Sequence, residues 1–339
     1  MARPRPASQL RPFGVLFGCL LLLTACGADA GSGDEKGARP AGFPYTVTNC
    51  GVRTTYEEPP QRAVAMNQHA TEVLLALGLG DRMVGTAFLD DEILPEYAAE
   101  YRKIDVLAKQ YPSREALLGA NPDFVYGGYE SAFEKSEGRD RSTLGESGIN
   151  TRLNIESCTK GRVGPDELER ELRETARVFG VPKRAERLIE RQHEQLDAVA
   201  ERLDGVDRTD VFVYDSGEGS AFTAGGGGIG VELIERAGGR NVFADVGKPF
   251  ADVSWEKVVE RQPETVLLYD YAGTPLTEKR KRLLDDSALQ DVPAVRDREF
   301  AVLPLSSAVL GVRMPQAVED LARQLHPERF PKSGDKAGR

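Results

Sequence analysis

Basic charge, histidine, cysteine and long apolar runs are all scarce in this chain, and each shortage removes a class of function. Three histidines (His69, His193, His326) and four cysteines leave little material for a rich metal centre. Lysine and arginine total 44 against 54 acids, and the net charge of −10 offers no electrostatic footprint for nucleic acid. Beyond residue 26 no apolar run approaches the ~18 residues of a membrane-spanning helix. His-Glu-x-x-His and Gly-x-Ser-x-Gly are absent, and no cysteine has a plausible catalytic base, so the chain reads as a non-enzyme without a cofactor. What is there is 339 residues, 40% of them hydrophobic and 29% charged, enough for two globular units with separate cores.

The first residues assign the compartment. Arg3, Arg5 and Arg11 precede an apolar run over residues 13–25, too short for a mature span and suited to a signal-peptide core. It ends in Leu23-Thr24-Ala25-Cys26-Gly27, which resembles the lipobox of bacterial lipoproteins and implies that Cys26 carries lipid on the outer face of the cell membrane. Export leaves Cys50 and Cys158 as an even pair outside the reducing cytosol, either bridged or as two unpaired thiols. Residues 27–43 lack periodicity and read as a flexible tether.

The body repeats itself. Ser113-Arg114-Glu115 leads through Leu117 and Leu118 to Pro122-Asp123 and the apolar Phe124-Val125-Tyr126. Ser254-Trp255-Glu256 leads in the same way through Val258 and Val259 to Pro263-Glu264 and Val266-Leu267-Leu268. Each copy predicts a short helix capped by serine, broken before proline, then a buried parallel strand. Two further helices end in glycine, Glu72-Val73-Leu74 running to Gly78 and Glu232-Leu233-Ile234 to Gly238, each after a strand. The first half carries about 19 additional residues between its glycine and its serine, read as cleft-side loops.

Between the halves, residues 166–204 are helical in composition, with a break at Gly180-Val181-Pro182. The second piece would span about 33 Å and cross from one half to the other. The predicted fold is therefore α/β, with two pseudo-symmetric lobes of parallel sheet joined by one long backbone helix. The expected organisation is a signal peptide at 1–25, a tether at 26–43, lobes at 44–165 and 205–331, the connector at 166–204 and a disordered tail at 332–339.

With the lipobox, Gln61-Arg62-Ala63-Val64-Ala65, the Glu-x-Leu-x-x-x-Gly helix, the duplicated Ser-x-Glu pattern and the connector together, residues 44–331 resemble class III substrate-binding lipoproteins. That family serves ABC importers of ferric siderophores, cobalamin and haem. The resemblance implies a monomer that docks on a permease dimer through a glutamate on each lobe, here Glu115 and Glu256. The alternative for each is a helix-dipole partner only. The rival class of function is an exported metal-dependent or chelatase-like enzyme.

In open α/β lobes ligands bind beyond the carboxyl ends of the strands. That rule selects Asn67, Gln68, His69, Tyr126, Tyr129 and Glu130 from the first lobe, and Asp215, Ser216, Phe222, Tyr269 and Tyr271 from the second. Lys109, Lys248 and Arg313 are the few bases nearby, against Asp90, Asp91, Glu92, Glu130, Asp215 and Asp270, so a neutral or cationic chelate such as a ferric hydroxamate fits better than an anionic catecholate. His69 is read as a hydrogen-bonding residue or a contact to a metal-bearing ligand; a metal site with Glu72 would need a second such pair on another helix, and none appears. The glycines at 225–228 are either a turn or a phosphate cradle, and Trp255 either packs its lobe or faces the cleft. A haem iron ligand would fall near Tyr111, set too close to Ser113 for the family pattern. The stretch Leu77-Gly78-Leu79-Gly80-Asp81-Arg82 also looks like members assigned to an anionic deazaflavin precursor, so cobalamin, haem and that precursor remain alternatives to a siderophore.

Overall fold

Alternation of apolar residues at period two and glycine-closed helices at period 3.6 are both realised in the computed structural model, which describes residues 40–271 and 273–331. The signal peptide, Cys26, most of the tether and the tail lie outside the described residues. Phe43, one residue ahead of the expected boundary at 44, packs on the core.

A hairpin of β1 (Tyr45–Asn49) and β2 (Val52–Tyr56) leads into β3 (Ala63–Met66), α1 (Gln68–Ala76), β4 (Met83–Ala87), α2 (Ala98–Tyr101) and β5 (Val106–Ala108). Then come α3 (Arg114–Gly119), β6 (Phe124–Gly127), α4 (Arg141–Glu146) and β7 (Asn150–Leu153). These strands build a five-stranded parallel sheet in the order β5-β4-β3-β6-β7. Parallel neighbours need crossovers, and α1, α3 and α4 supply them.

Two helices follow, α5 (Pro165–Val178) and α6 (Pro182–Arg202), each opened by proline in its first turn and separated by Gly180 at φ +70°. The second lobe runs through β8 (Thr209–Tyr214), β9 (Ala221–Ala224), α7 (Gly230–Arg236), β10 (Gly239–Asn241) and β11 (Phe250–Val253). It continues with α8 (Trp255–Arg261), β12 (Thr265–Asp270), α9 (Leu276–Asp285), α10 (Pro293–Arg296), β13 (Phe300–Pro304) and α11 (Met314–Leu325). Its parallel sheet has the order β10-β8-β12-β13, and β9 and β11 form a separate antiparallel pair. The two main sheets share no strand pairing.

The repeat is structural. Ser113 Oγ accepts from Ala116 N at 3.2 Å and Ser254 Oγ from Lys257 N at 3.4 Å, so α3 and α8 are capped alike. Gly78 and Gly238 close α1 and α7 with φ of +65° and +82°. The additional residues of the first half do not only make loops: they carry α2 and the edge strand β5, for which the second main sheet has no counterpart.

Period-two alternation sends Phe124 and Tyr126 to one face of the first sheet and Val125 to the other. The inner faces of both sheets belong to one apolar core shared with α5 and α6, whereas each outer face has its own cluster. Helix α6 packs on α5 from one side and on α11 and α7 from the other, which makes it the rod between the lobes. Cys50 and Cys158 are bridged, tying the β1–β2 turn to the segment after β7 across 108 residues of sequence. Asn49 reinforces that tie by accepting from Leu153 N at 2.8 Å and donating to Leu153 O at 2.9 Å.

Candidate functional site

The carboxyl ends of the two sheets face each other, and the first thing they build is an ion-pair knot. Glu72, on α1, is fully buried, and its two oxygens accept from Arg313 Nε at 2.7 Å and Nη2 at 2.6 Å. Arg313 Nη1 donates to Asp91 Oδ2 and to Ser306 Oγ, both at 3.0 Å, and Nη2 also donates to Glu92 O at 2.5 Å. Five donors meet five acceptors, so the guanidinium is saturated. Arg313, expected among the ligand contacts, is engaged here between the lobes, across 241 residues of sequence. Gln68, also fully buried, supports the knot by donating to Glu72 Oε1 at 3.1 Å and Glu92 O at 3.2 Å. With Glu72 engaged in this way, the His69–Glu72 pair is not a metal bridge.

Two further residues expected among the ligand contacts are buried. Tyr126 and Tyr269 are 0% exposed and point into the shared core. Both sit inside the strands rather than beyond them, and their register faces the interior. Tyr126 donates to Glu171 Oε1 at 2.5 Å, and Glu171 also receives Arg152 Nε at 2.8 Å, so this tyrosine completes a buried ion pair. The residues just past the strand ends behave differently. Tyr129 is half-buried with the edge of His69 against it at 4.9 Å, and Glu130 is exposed. Burial lowers the pKa of His69 and favours the neutral ring.

On the second lobe Asp215, Ser216, Phe222 and Tyr271 are half-buried. Phe222 stacks on Phe250 at 5.4 Å, and the Lys279 ammonium lies 4.2 Å from the centre of the Tyr271 ring and 3.9 Å from Asp215 Oδ1. Lys279 itself is buried and donates to Tyr269 O at 2.5 Å. Burial raises the Asp215 carboxyl despite that lysine. Between the lobes lies a cavity of about 360 Å³ lined by Asp90, Asp91, Asp270, Tyr271, Pro275 and Pro304. That size falls within the range of small-molecule pockets. Burial, and then Asp91 beside it, raise the Asp90 carboxyl.

The open alternatives close on geometry. Trp255 packs its own lobe against Phe212 and Tyr214 and donates to Glu218 O at 2.8 Å. The amides of the four glycines at 225–228 all bond backbone carbonyls, of Pro249, Val246, Lys248 and Gly161, which leaves none for phosphate. A Cβ on Gly226 would lie 1.9 Å from Ala244 O, so close backbone approach is what requires glycine there. Tyr111 Oη is engaged by Asn67 Oδ1 at 3.1 Å and Ser131 Oγ at 2.9 Å, not free as a metal ligand.

Residues 64–306 match the periplasmic binding protein family. The chain belongs to it. As a class III substrate-binding protein it is similar to the ABC transporter substrate-binding lipoprotein YvrC of Bacillus subtilis, with 23% identity over 91% of this chain and 95% of that one. The vitamin B12-binding protein of Vibrio parahaemolyticus is 25% identical over 65% of this chain and 74% of its own. Among solved structures, a periplasmic binding protein from Veillonella parvula superposes with a TM-score of 0.77 at 30% identity, covering 84% of this chain and 97% of that chain.

Within this class III binding protein, Glu115 and Glu256 occupy the second position of the two matched helices and are exposed. Hydrogen bonds from the helix's own amide and the Ser113 hydroxyl lower the Glu115 pKa, and the Ser254 hydroxyl followed by the amide does so for Glu256. Sequence reasoning missed Glu156. Its Oε2 accepts from Leu310 N at 2.6 Å and its Oε1 from Ile229 N at 3.3 Å, so a residue of the first half holds two amides of the second. No local pattern announces such a residue, because both of its partners are remote in sequence.

Burial pushes the Glu156 carboxyl up to about 7, with the two amides opposing. Tyr129 and Tyr269 are the titratable groups that feel its charge. The folded chain then binds this proton more tightly than the unfolded chain, so stability falls as pH rises from the ordinary carboxylate value and levels off above about 7. The full difference is about 3 kcal/mol at most. Glu156→Gln should flatten the urea-midpoint profile between pH 5 and 8, with a constant offset for the lost acceptor. Parallel profiles for the two proteins would refute the assignment.

Proposed function

We propose that this protein is a lipid-anchored, monomeric, extracytoplasmic carrier that captures a neutral or cationic metal chelate, a ferric siderophore of the hydroxamate type, and delivers it to an ABC importer permease. The observation that carries the ligand class is the charge of the interlobe cavity. Asp90, Asp91 and Asp270 line it, Asp91 being paired with Arg313, and Lys279 is held by Tyr269 O, while Lys109 and Lys248 lie outside the lining. An anionic catecholate or a phosphate-bearing cofactor precursor would meet these acids, and none of the described residues lining the cavity is a base. Anchoring through Cys26 is supported by the lipobox and by the lipoprotein name of the B. subtilis relative. Delivery through Glu115 and Glu256 is supported by their matched positions on the two lobes. A corrinoid is the second reading, favoured by the vitamin B12-binding relative; it is equally compatible with a cavity free of strong bases.

Isothermal titration with ferrioxamine B, cyanocobalamin, haemin and ferric enterobactin tests the ligand class. Ferrioxamine B should bind at least about 100-fold more tightly than ferric enterobactin, because like charges face each other in the second case. Equal or tighter binding of the anionic catecholate would reject the proposal. Trp255, packed in the outer core of the second lobe, is a poor fluorescence reporter, so heat is the better signal.

A further inference from the structure

Asn67 is the first residue past β3, at a position where open α/β lobes hold ligands. Its backbone sits at φ 81°, ψ 154°, a region that side-chain-bearing residues rarely occupy. Phe88, the first residue past the neighbouring strand β4, also has positive φ, at 55°. Two strained residues at adjacent strand ends cost free energy, and such strain persists where a site demands a particular side-chain direction.

The Asn67 side chain is 0% exposed and only half satisfied. Oδ1 accepts from Gly128 N at 3.2 Å and from Tyr111 Oη at 3.1 Å. A backbone N–H can only donate, so Gly128 settles which branch of the amide is oxygen. The other branch, Nδ2, has no partner among the described residues. An amide donor buried without an acceptor is costly, and natural structures keep few of them. The surroundings hold it in place: Phe88 packs edge-on against Tyr111 at 4.7 Å, and a Cβ on Gly128 would strike the Asn67 Cβ at 2.8 Å. Gly311 of the second lobe abuts His69, two residues further along the chain.

We infer that Asn67 Nδ2 is a recognition donor for an uncharged oxygen of the bound chelate, a hydroxamate or amide carbonyl oxygen. The donor is neutral and buried at the strand end behind Tyr111, which feels the Asp90 charge, so it selects oxygen acceptors without calling for an anionic ligand. The inference rests on the cleft being a chelate site, and it adds the residue that discriminates oxygen-rich ligands. Tyr111 and Gly128 are positioning groups that aim the amide.

Asn67→Asp keeps an oxygen for Gly128 and Tyr111 and replaces the NH₂ donor by a charged carboxylate oxygen, so it is read together with Asn67→Gly, which removes the donor without adding charge. Asn67→Gly removes the side chain while tolerating the positive φ, and covers the case in which the aspartate folds poorly. Titrated with ferrioxamine B and cyanocobalamin at pH 8, both variants should lose about 10-fold or more in affinity for whichever chelate the unaltered protein binds. Unchanged affinity in Asn67→Asp would overturn the inference and leave the carrier function standing. Binding of cyanocobalamin but not ferrioxamine B, weakened by Asn67→Asp, would overturn the hydroxamate reading and support the donor. Failure of the unaltered protein to bind either chelate would overturn both.

Discussion

Reversing the two charges proposed for docking, Glu115→Arg with Glu256→Arg, should strongly reduce chelate uptake by cells while leaving chelate binding by the isolated protein unchanged. The two carboxylates are exposed, ionised below the usual carboxylate range, and set at the same position of two serine-capped helices. Neither touches the interlobe cavity, so ligand capture has no reason to respond. Neither is packed, so the substitutions remove no buried contact and incur only an unfavourable helix dipole. Exposed charges steer reversible docking more than they hold a complex together, and a reversed charge turns steering into repulsion. Uptake should fall on the order of 100-fold in the double variant, with each single variant between the extremes. Transport at the unaltered rate by a correctly folded double variant would remove these two residues from the permease interface.

The second large effect is expected at the knot between the lobes. Arg313→Met should destabilise the fold by about 3–5 kcal/mol, because it leaves the Glu72 carboxylate buried without its partner. The same substitution should open the molecule, visible as a larger radius of gyration in small-angle scattering, since Arg313 joins α1 of one lobe to the start of α11 in the other. Pairing it with Glu72→Leu should restore most of the lost stability, as an apolar pair of similar volume removes the stranded charge. Asp91 contributes less: its side chain is 38% exposed, where ion pairs are weak. A single variant as stable as the unaltered protein, or a double variant no better than the single one, would show that the knot does not hold the lobes.

This arrangement explains how a rigid carrier can still exchange its ligand. Helix α6 fixes the separation of the lobes, and the shared apolar core limits their relative movement. Contacts that can break and reform are polar and lie at the cleft: Arg313 with Asp91, Asn154 Nδ2 with Leu310 O at 3.0 Å, and Glu156 with two amides. On the proposed function, capture and release would involve small shifts at these contacts rather than a wide hinge.

Local chemistry made much of the fold legible from the residues alone. Serine before a short apolar helix, glycine after a longer one and proline ahead of a strand act within a turn or two of chain, so the two lobes, their repeat and the connecting helix could be read in order. The cysteine pair was legible because export leaves only two thiols, though its bridging required the hairpin to reach the segment after β7. Tertiary structure alone decided which way Tyr126 and Tyr269 face, because strand register and the identity of the packed face are long-range outcomes. It alone turned Arg313 from a ligand contact into a fastener, exposed Glu156 as a joint between lobes, and left one amide branch of Asn67 without a partner. Burial and hydrogen-bond partners belong to pairs of residues distant in sequence, and no pattern within a single segment encodes them.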